Sequence, residues 1–209
     1  VPHIFSQAEV RRILAAARSL RGPRFRSVTF RTLIVMLYCT GLRLGEAVRL
    51  ALWDVDLKQL TLVVRESKGK TRFVPFRIDM ARVLKRYLRA RPATAPPDGA
   101  FFVHPDGRPY ILAVVSQTIR HLLRRIGIKA NRGRVGPRPF DFRHAFATHR
   151  LTRWYRAGVD LHSRLPWLSA YMGHEDLLGT ETYLNATPEL LAVAGRRFAA
   201  RMHAHRRKG

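Results

Sequence analysis

The chain has 209 residues, 46% of them hydrophobic, which suits one sizeable core better than two full domains. Thirty-nine Lys and Arg stand against 14 Asp and Glu, a formal charge of +25; a polyanion offsets such self-repulsion, nucleic acid first and an anionic membrane surface second. The lone cysteine, Cys39, excludes an internal disulfide framework and a cysteine zinc cluster, and its apolar surroundings (Leu33 to Tyr38), too short to span a bilayer, read as a buried position.

The first residues, Val1 to Phe5, lack the pattern of a signal peptide. Ser6-Gln7-Ala8-Glu9 is a capping box, and Val10, Ile13, Leu14 and Ala17 continue it at helical spacing to about Leu20. Arg21-Gly22-Pro23 breaks that helix. A second, apolar helix covers about Phe25 to Thr40 and ends at Gly41, and a short one follows from about Leu44 to Leu50. Three short strands are expected next, at Trp53 to Leu57, Leu60 to Arg65 and Arg72 to Phe76, the last two joined by the turn Ser67-Lys68-Gly69-Lys70. A helix from about Asp79 to Ala90 precedes the Pro-rich loop from Pro92 to Gly99. Phe101 to Tyr110 reads as an extended element or small hairpin around Asp106-Gly107.

The remainder is mainly helical: about Val114 to Ile126, then a basic loop from Lys129 to Arg138, then about Phe142 to Ala157. Leu165 to Met172 reads as a short helix stopped by Gly173, Thr180 to Leu184 as another, and a last helix begins near Pro188. The tail from Arg201 to Gly209 is strongly basic and reads as frayed. No internal repeat is evident.

Local turns bring basic groups to places suited to an anion. Arg43 follows a helix end, Lys68 and Lys70 sit on a hairpin tip, and Arg143 opens a helix, where backbone amides and the dipole favour negative charge. His174 follows a glycine break, with Tyr183 nine positions on. Each alone is more often a solvated side chain or, for the tyrosine, a core one. Glu46, one turn after Arg43, either orients it or a neighbouring amide, or is a surface carboxylate. Trp53, Trp154 and Trp167 have apolar neighbours and read as core. His3, His104, His121, His162, His203 and His205 form no ligand set.

Taken in order, four blocks resemble the phage-integrase-like tyrosine recombinases over most of the chain. Thr40-Gly41-Leu42-Arg43-Leu44-Gly45-Glu46-Ala47 is similar to the first arginine motif, and Ser67-Lys68-Gly69-Lys70-Thr71-Arg72-Phe73-Val74-Pro75 to the β-hairpin lysine motif. Arg143-His144-Ala145-Phe146-Ala147-Thr148-His149 resembles the second arginine motif. Met172-Gly173-His174 with Thr180-Glu181-Thr182-Tyr183-Leu184 resembles the third motif and the nucleophile segment.

The resemblance implies a mainly α chain with a small antiparallel β-sheet (α+β), the DNA breaking-rejoining fold of the recombinase catalytic domain. It implies that Arg43 and Arg143 clamp the scissile phosphate, Lys68 protonates the leaving 5′ oxygen, His174 hydrogen-bonds the phosphate and Tyr183 attacks phosphorus to form a 3′-phosphotyrosine. Arginines would take the place of a metal, and the covalent link would keep the phosphodiester energy, so neither metal, ATP nor other cofactor is expected. Lys70, Arg72, Arg132, Arg134 and Arg138 are expected on the DNA backbone, positioning without reading sequence.

The expected partners are double-stranded DNA and, on it, further copies of the chain in a tetrameric synapse; without DNA the chain is expected to be a monomer, in the cytoplasm on the nucleoid and away from membranes. Residues 1–209 read as a single catalytic domain, with 1–5 a linker-like lead-in and 188–209 a C-terminal helix and basic tail. The helix from about Pro188 to Ala200 docks either on a neighbour or on its own domain. The N-terminal DNA-clamping domain of the family is expected to be absent. With no initiator Met, the chain reads as processed, as a fragment or as a natural minimal recombinase.

One position departs from the family: Phe140 stands where a histidine usually lies, three residues before the second arginine. A phenyl ring neither donates to a phosphate nor carries a proton, and losing one acid/base group typically costs about 10²–10⁴-fold in rate. Weakened activity, an altered chain and replacement by Asp141 or His144 remain open; His144 points about 100° away from Arg143 on a helix. Three functions therefore stand: a recombinase or integrase, a DNA-binding relative with feeble or lost catalysis, and a type IB topoisomerase-like relaxing enzyme.

Overall fold

Ser6 caps the first helix as the sequence predicts. Its hydroxyl accepts the Glu9 N–H while the Glu9 carboxylate accepts the Ser6 N–H, the reciprocal capping box that starts helix α1 (Gln7–Arg18). The coordinates are a computed structural model, which describes residues 2–67, 70–133 and 135–174. Two compact units divide the chain, Pro2 to Phe146 and Ala147 onward.

In the first unit, α1 packs on α2 (Arg24–Thr40), whose buried residues include Phe30, Leu33, Ile34, Met36 and Leu37. Gly41 terminates α2 in the left-handed region (φ 64°), and its N–H returns to the Leu37 carbonyl. Helix α3 (Leu44–Arg49) follows at once.

The expected first strand is shorter than predicted. Leu52 to Asp54 form a 3₁₀ turn, because the buried Asp54 carboxylate accepts the Ala51 N–H at 3.0 Å and Arg65 Nε at 2.7 Å, which curls the chain before it can extend. Strands β1 (Val55–Asp56), β2 (Thr61–Ser67) and β3 (Lys70–Pro75) then form an antiparallel sheet in sequence order. Residues alternate across it: Leu62, Val64 and Val74 are buried, whereas Phe73 is exposed opposite Val63.

Helix α4 (Ile78–Ala90) packs on α2 and contributes Tyr87 to an aromatic cluster with Phe25, Phe101 and Phe102. The Tyr87 hydroxyl donates to the Phe101 carbonyl and accepts the Val103 N–H, and burial pushes its phenol well above the ordinary value. Residues 100–109 form a small hairpin: Ala100 bridges Ala51, and the Val103–Pro109 bridge closes a turn at Pro105 to Gly107 in which the Gly107 N–H returns to the His104 carbonyl. Helix α5 (Leu112–Arg125) follows and contacts α1 and α3.

Helix α6 (Asp141–Arg156) begins in the first unit and continues into the second, which also holds α7 (Leu161–Met172). Helix α7 starts a turn earlier than the sequence suggested. Asp160 caps it by accepting the His162 and Ser163 N–H groups, and Pro166 is tolerated inside. Gly173 ends it in the left-handed region (φ 69°). The expected helices at 180–184 and from 188 lie outside the described residues.

Three readings of burial are corrected. Trp53 and Trp167 are 62% and 71% exposed, and Cys39 is exposed rather than buried. Cys39, with Val35 and Tyr38 of α2, lines a groove beside Val10 and Leu14 of α1. An apolar run on a helix always turns some of its members outward at 100° per residue. Among the described residues, no helix is long and apolar enough to cross a membrane.

Candidate active site

The end of α2 organises a cationic site. The left-handed turn at Gly41 swings its carbonyl off the helix axis, and that oxygen accepts Nη1 of Arg143 at 2.7 Å, 102 positions along the chain. Only glycine suits this turn: a Cβ at residue 41 would run into the Phe146 ring. Thr40 stabilises the same end by donating its hydroxyl to the Met36 carbonyl at 2.6 Å.

Arg143 sits in the first turn of α6. Arg138 precedes that turn and gives its N–H to Asp141 Oδ2 at 2.7 Å, while the Phe140 carbonyl accepts the Arg143 N–H. The sequence suggested an arginine presented at a helix start. The structure instead turns it inward, 1% exposed, onto the carbonyl end of α2, where the partial negative charge of the helix terminus compensates a buried cation.

Two residues beyond Gly41, Arg43 opens α3 and keeps its side chain 25% exposed. Glu46 is buried, which decides between the two readings left open for it. Its Oε2 accepts the Arg43 N–H at 2.8 Å and its Oε1 accepts Arg43 Nη1 at 2.8 Å. The same carboxylate takes Arg72 from β3, Nη1 on Oε1 at 3.1 Å and Nη2 on Oε2 at 2.9 Å. A bidentate fork of this kind fixes both partners in orientation as well as distance. Arg143, Gly41, Arg43, Glu46 and Arg72 thus form one connected array.

Phe140 is 41% exposed, and its ring meets that of His144 edge-on at 4.9 Å between centroids. The His144 imidazole is held below its ordinary pKa by burial first; Asp141 opposes this, and Arg138 and Arg143 add to it. Lys129 is buried and donates Nζ to the Val135 carbonyl at 2.6 Å, tying together the loop between α5 and α6. Arg132 and Arg138 on that loop are exposed.

In the second unit, His174 directly follows the Gly173 cap, its N–H bonded to the Ser169 carbonyl at 3.0 Å. Lys68, Arg134 and Tyr183 lie outside the described residues, and Lys70 is described only as the first backbone position of β3. The structure therefore sets Arg143 on the Gly41 carbonyl, two positions before Arg43, and joins Glu46 and Arg72 to Arg43. The place of Arg72 was legible in principle, because strand alternation puts it on the same face as the buried Val74. Among the described residues, no group of three or more His, Cys, Asp or Glu is arranged to hold a metal ion.

Comparison with known proteins follows the same lines. The profile described as the phage integrase family matches residues 3–189. The protein y4rB of Sinorhizobium fredii, named for the integrases and recombinases, is 36% identical over 96% of this chain and 66% of its own length. The tyrosine recombinase XerC of Lactobacillus delbrueckii subsp. bulgaricus is 30% identical over 92% of this chain and 61% of its own. The chain thus spans somewhat under two thirds of these curated relatives. The crystal structure of XerA recombinase superposes with a TM-score of 0.73 at 24% identity, over 95% of this chain and 64% of that one, and shares the mainly helical fold with its small antiparallel sheet.

Proposed function

Because the chain belongs to the phage integrase family, whose profile matches most of its length, we propose that it is the catalytic domain of a site-specific tyrosine recombinase that cuts and rejoins duplex DNA through Tyr183. The Tyr183 phenol gives its proton to solvent as its oxygen attacks phosphorus, and the bond to the 5′ oxygen breaks, leaving a 3′-phosphotyrosine and a 5′ hydroxyl that takes its proton from Lys68. Rejoining reverses both bond changes, with a 5′ hydroxyl attacking and the phenol leaving. Arg43 and Arg143 neutralise the non-bridging oxygens, where the transition state gathers charge, and His174 hydrogen-bonds the same group. A phenol with an ordinary pKa of about 10 needs such cationic neighbours to serve as a nucleophile. Because the phosphodiester energy is conserved in the link, the reaction draws on no ATP.

The observation that carries this reading is the hydrogen bond from Arg143 to the Gly41 carbonyl. It gathers two arginines 100 positions apart around one helix end, and a buried carboxylate holds the second of them. Lys70, Arg132, Arg134 and Arg138 then serve as backbone contacts on the DNA, four copies act on two duplexes, and the work is done on chromosomal DNA in the cytoplasm. A second reading, a DNA-binding relative with weak catalysis, is favoured by one feature: the exposed Phe140 ring offers no proton and no hydrogen bond where the family has a histidine.

The test is covalent trapping on a pool of nicked duplexes randomised around the nick, which release the short strand and so prevent rejoining. The native chain should give an adduct stable to SDS, from which the cleaved sequence is read, and Tyr183→Phe should give none. Equal adduct from both removes Tyr183 as the nucleophile, and none from either favours the second reading over the first.

A further inference from the structure

Sequence reasoning places Arg72 among the DNA-backbone contacts, and the structure assigns it another task. Val64 and Arg72 are paired across β2 and β3, and directly opposed residues project from the same face of a sheet. Val64 and Val74 on that face are buried, whereas Phe73 on the other is 69% exposed. The Arg72 side chain, 12% exposed, therefore runs inward beneath the hairpin, and its two terminal nitrogens span both oxygens of Glu46. Glu46 is 1% exposed and holds Arg43 by both its backbone N–H and its guanidinium.

We propose that Arg72 is a positioning residue that acts through Glu46 on Arg43, so that one buried carboxylate sets the guanidinium of Arg43 and anchors the hairpin that carries Lys68. The geometry explains why an arginine is needed there. A lysine ammonium is a single point charge and can meet one carboxylate oxygen at a time, whereas the planar fork locks the plane of the carboxylate and with it the approach of Arg43. Without Arg72, Glu46 keeps its bonds to Arg43 but loses the fork that fixes the plane of its carboxylate, so the aim of Arg43 is loosened. Misplacement of about 1 Å in such a group costs on the order of 10²-fold in rate.

This inference rests on the recombinase reading, and its test separates the two. The duplex recovered by trapping is used to measure DNA affinity as a function of salt and the single-turnover cleavage rate at saturating protein, for Arg72→Met, Arg72→Lys, Glu46→Gln and Glu46→Gln/Arg72→Met. A positioning role predicts that Arg72→Met lowers the saturated cleavage rate about 10- to 100-fold, leaves affinity within about twofold and leaves the salt slope unchanged. Arg72→Lys should recover part of the rate. Residues acting as one unit are not additive, so the double variant should be no slower than the worse single one. The double variant also removes both charges together, which keeps the comparison valid if Arg72→Met alone loses its fold. A direct phosphate contact predicts the reverse: weaker binding, a salt slope smaller by about 1 and an unchanged rate at saturation. That result, or additive losses in the double variant, overturns the proposal while Tyr183→Phe stays inactive; adduct from Tyr183→Phe overturns the recombinase reading itself.

Discussion

The Gly41 carbonyl receives the guanidinium of Arg143 at 2.7 Å, and the residue that makes this contact is a glycine because its backbone is left-handed (φ 64°) and its missing Cβ leaves room for the Phe146 ring. One residue thus ends a helix, seats a buried cation and accommodates the helix that bears it.

Gly41→Ala should therefore be damaging in two ways. The left-handed conformation costs a residue with a Cβ roughly 1–3 kcal/mol, and relief of the clash must displace Phe146, two positions from the α6 turn that carries Arg143 and Phe142. Urea unfolding should show the loss of stability, and single-turnover cleavage should fall by more than tenfold at a temperature where the variant is still folded. Unchanged cleavage in a folded variant would separate the Gly41 contact from the chemistry.

Phe140→His should raise the cleavage rate, by about tenfold or more if the imidazole reaches the phosphate. The position is 41% exposed and its ring touches His144 edge-on, so an imidazole fits without repacking the core. Rate against pH at saturating protein is the measurement. A rate equal to that of the native chain would mean that residue 140 faces away from the reacting group.

Acid should weaken the fold beginning near neutrality. The imidazoles of His144 and His104 are both held below their ordinary value of 6.5, in each case chiefly by burial. Unfolding restores the ordinary value, so just below pH 6.5 the unfolded chain binds more protons than the folded one. The stabilisation is complete above that pH and is lost as pH falls through the folded-state values. Urea unfolding at about pH 7.5 and about pH 5.5 should show lower stability at the acid end, and His144→Gln should lessen the difference. An identical pH dependence in the variant would place the effect elsewhere.

Much of the architecture was legible in the sequence because its causes are local. The Ser6–Glu9 capping box, the glycine stops at residues 41 and 173 and the alternation in the hairpin all depend on neighbours within four positions. The local turns likewise placed Arg43 just after a helix end and Arg143 at a helix start. Local rules failed where a side chain chose its partner far along the chain. They misjudged the exposure of Trp53, Trp167 and Cys39, and they did not show that Arg72 bonds to Glu46, 26 positions away. They also placed Arg143 at a helix start without showing that it turns inward to a carbonyl 102 positions earlier. Helix and strand periodicity determine which face of an element a residue occupies; only the packing of whole elements decides what that face meets, and with it whether a charge is solvated, buried or paired.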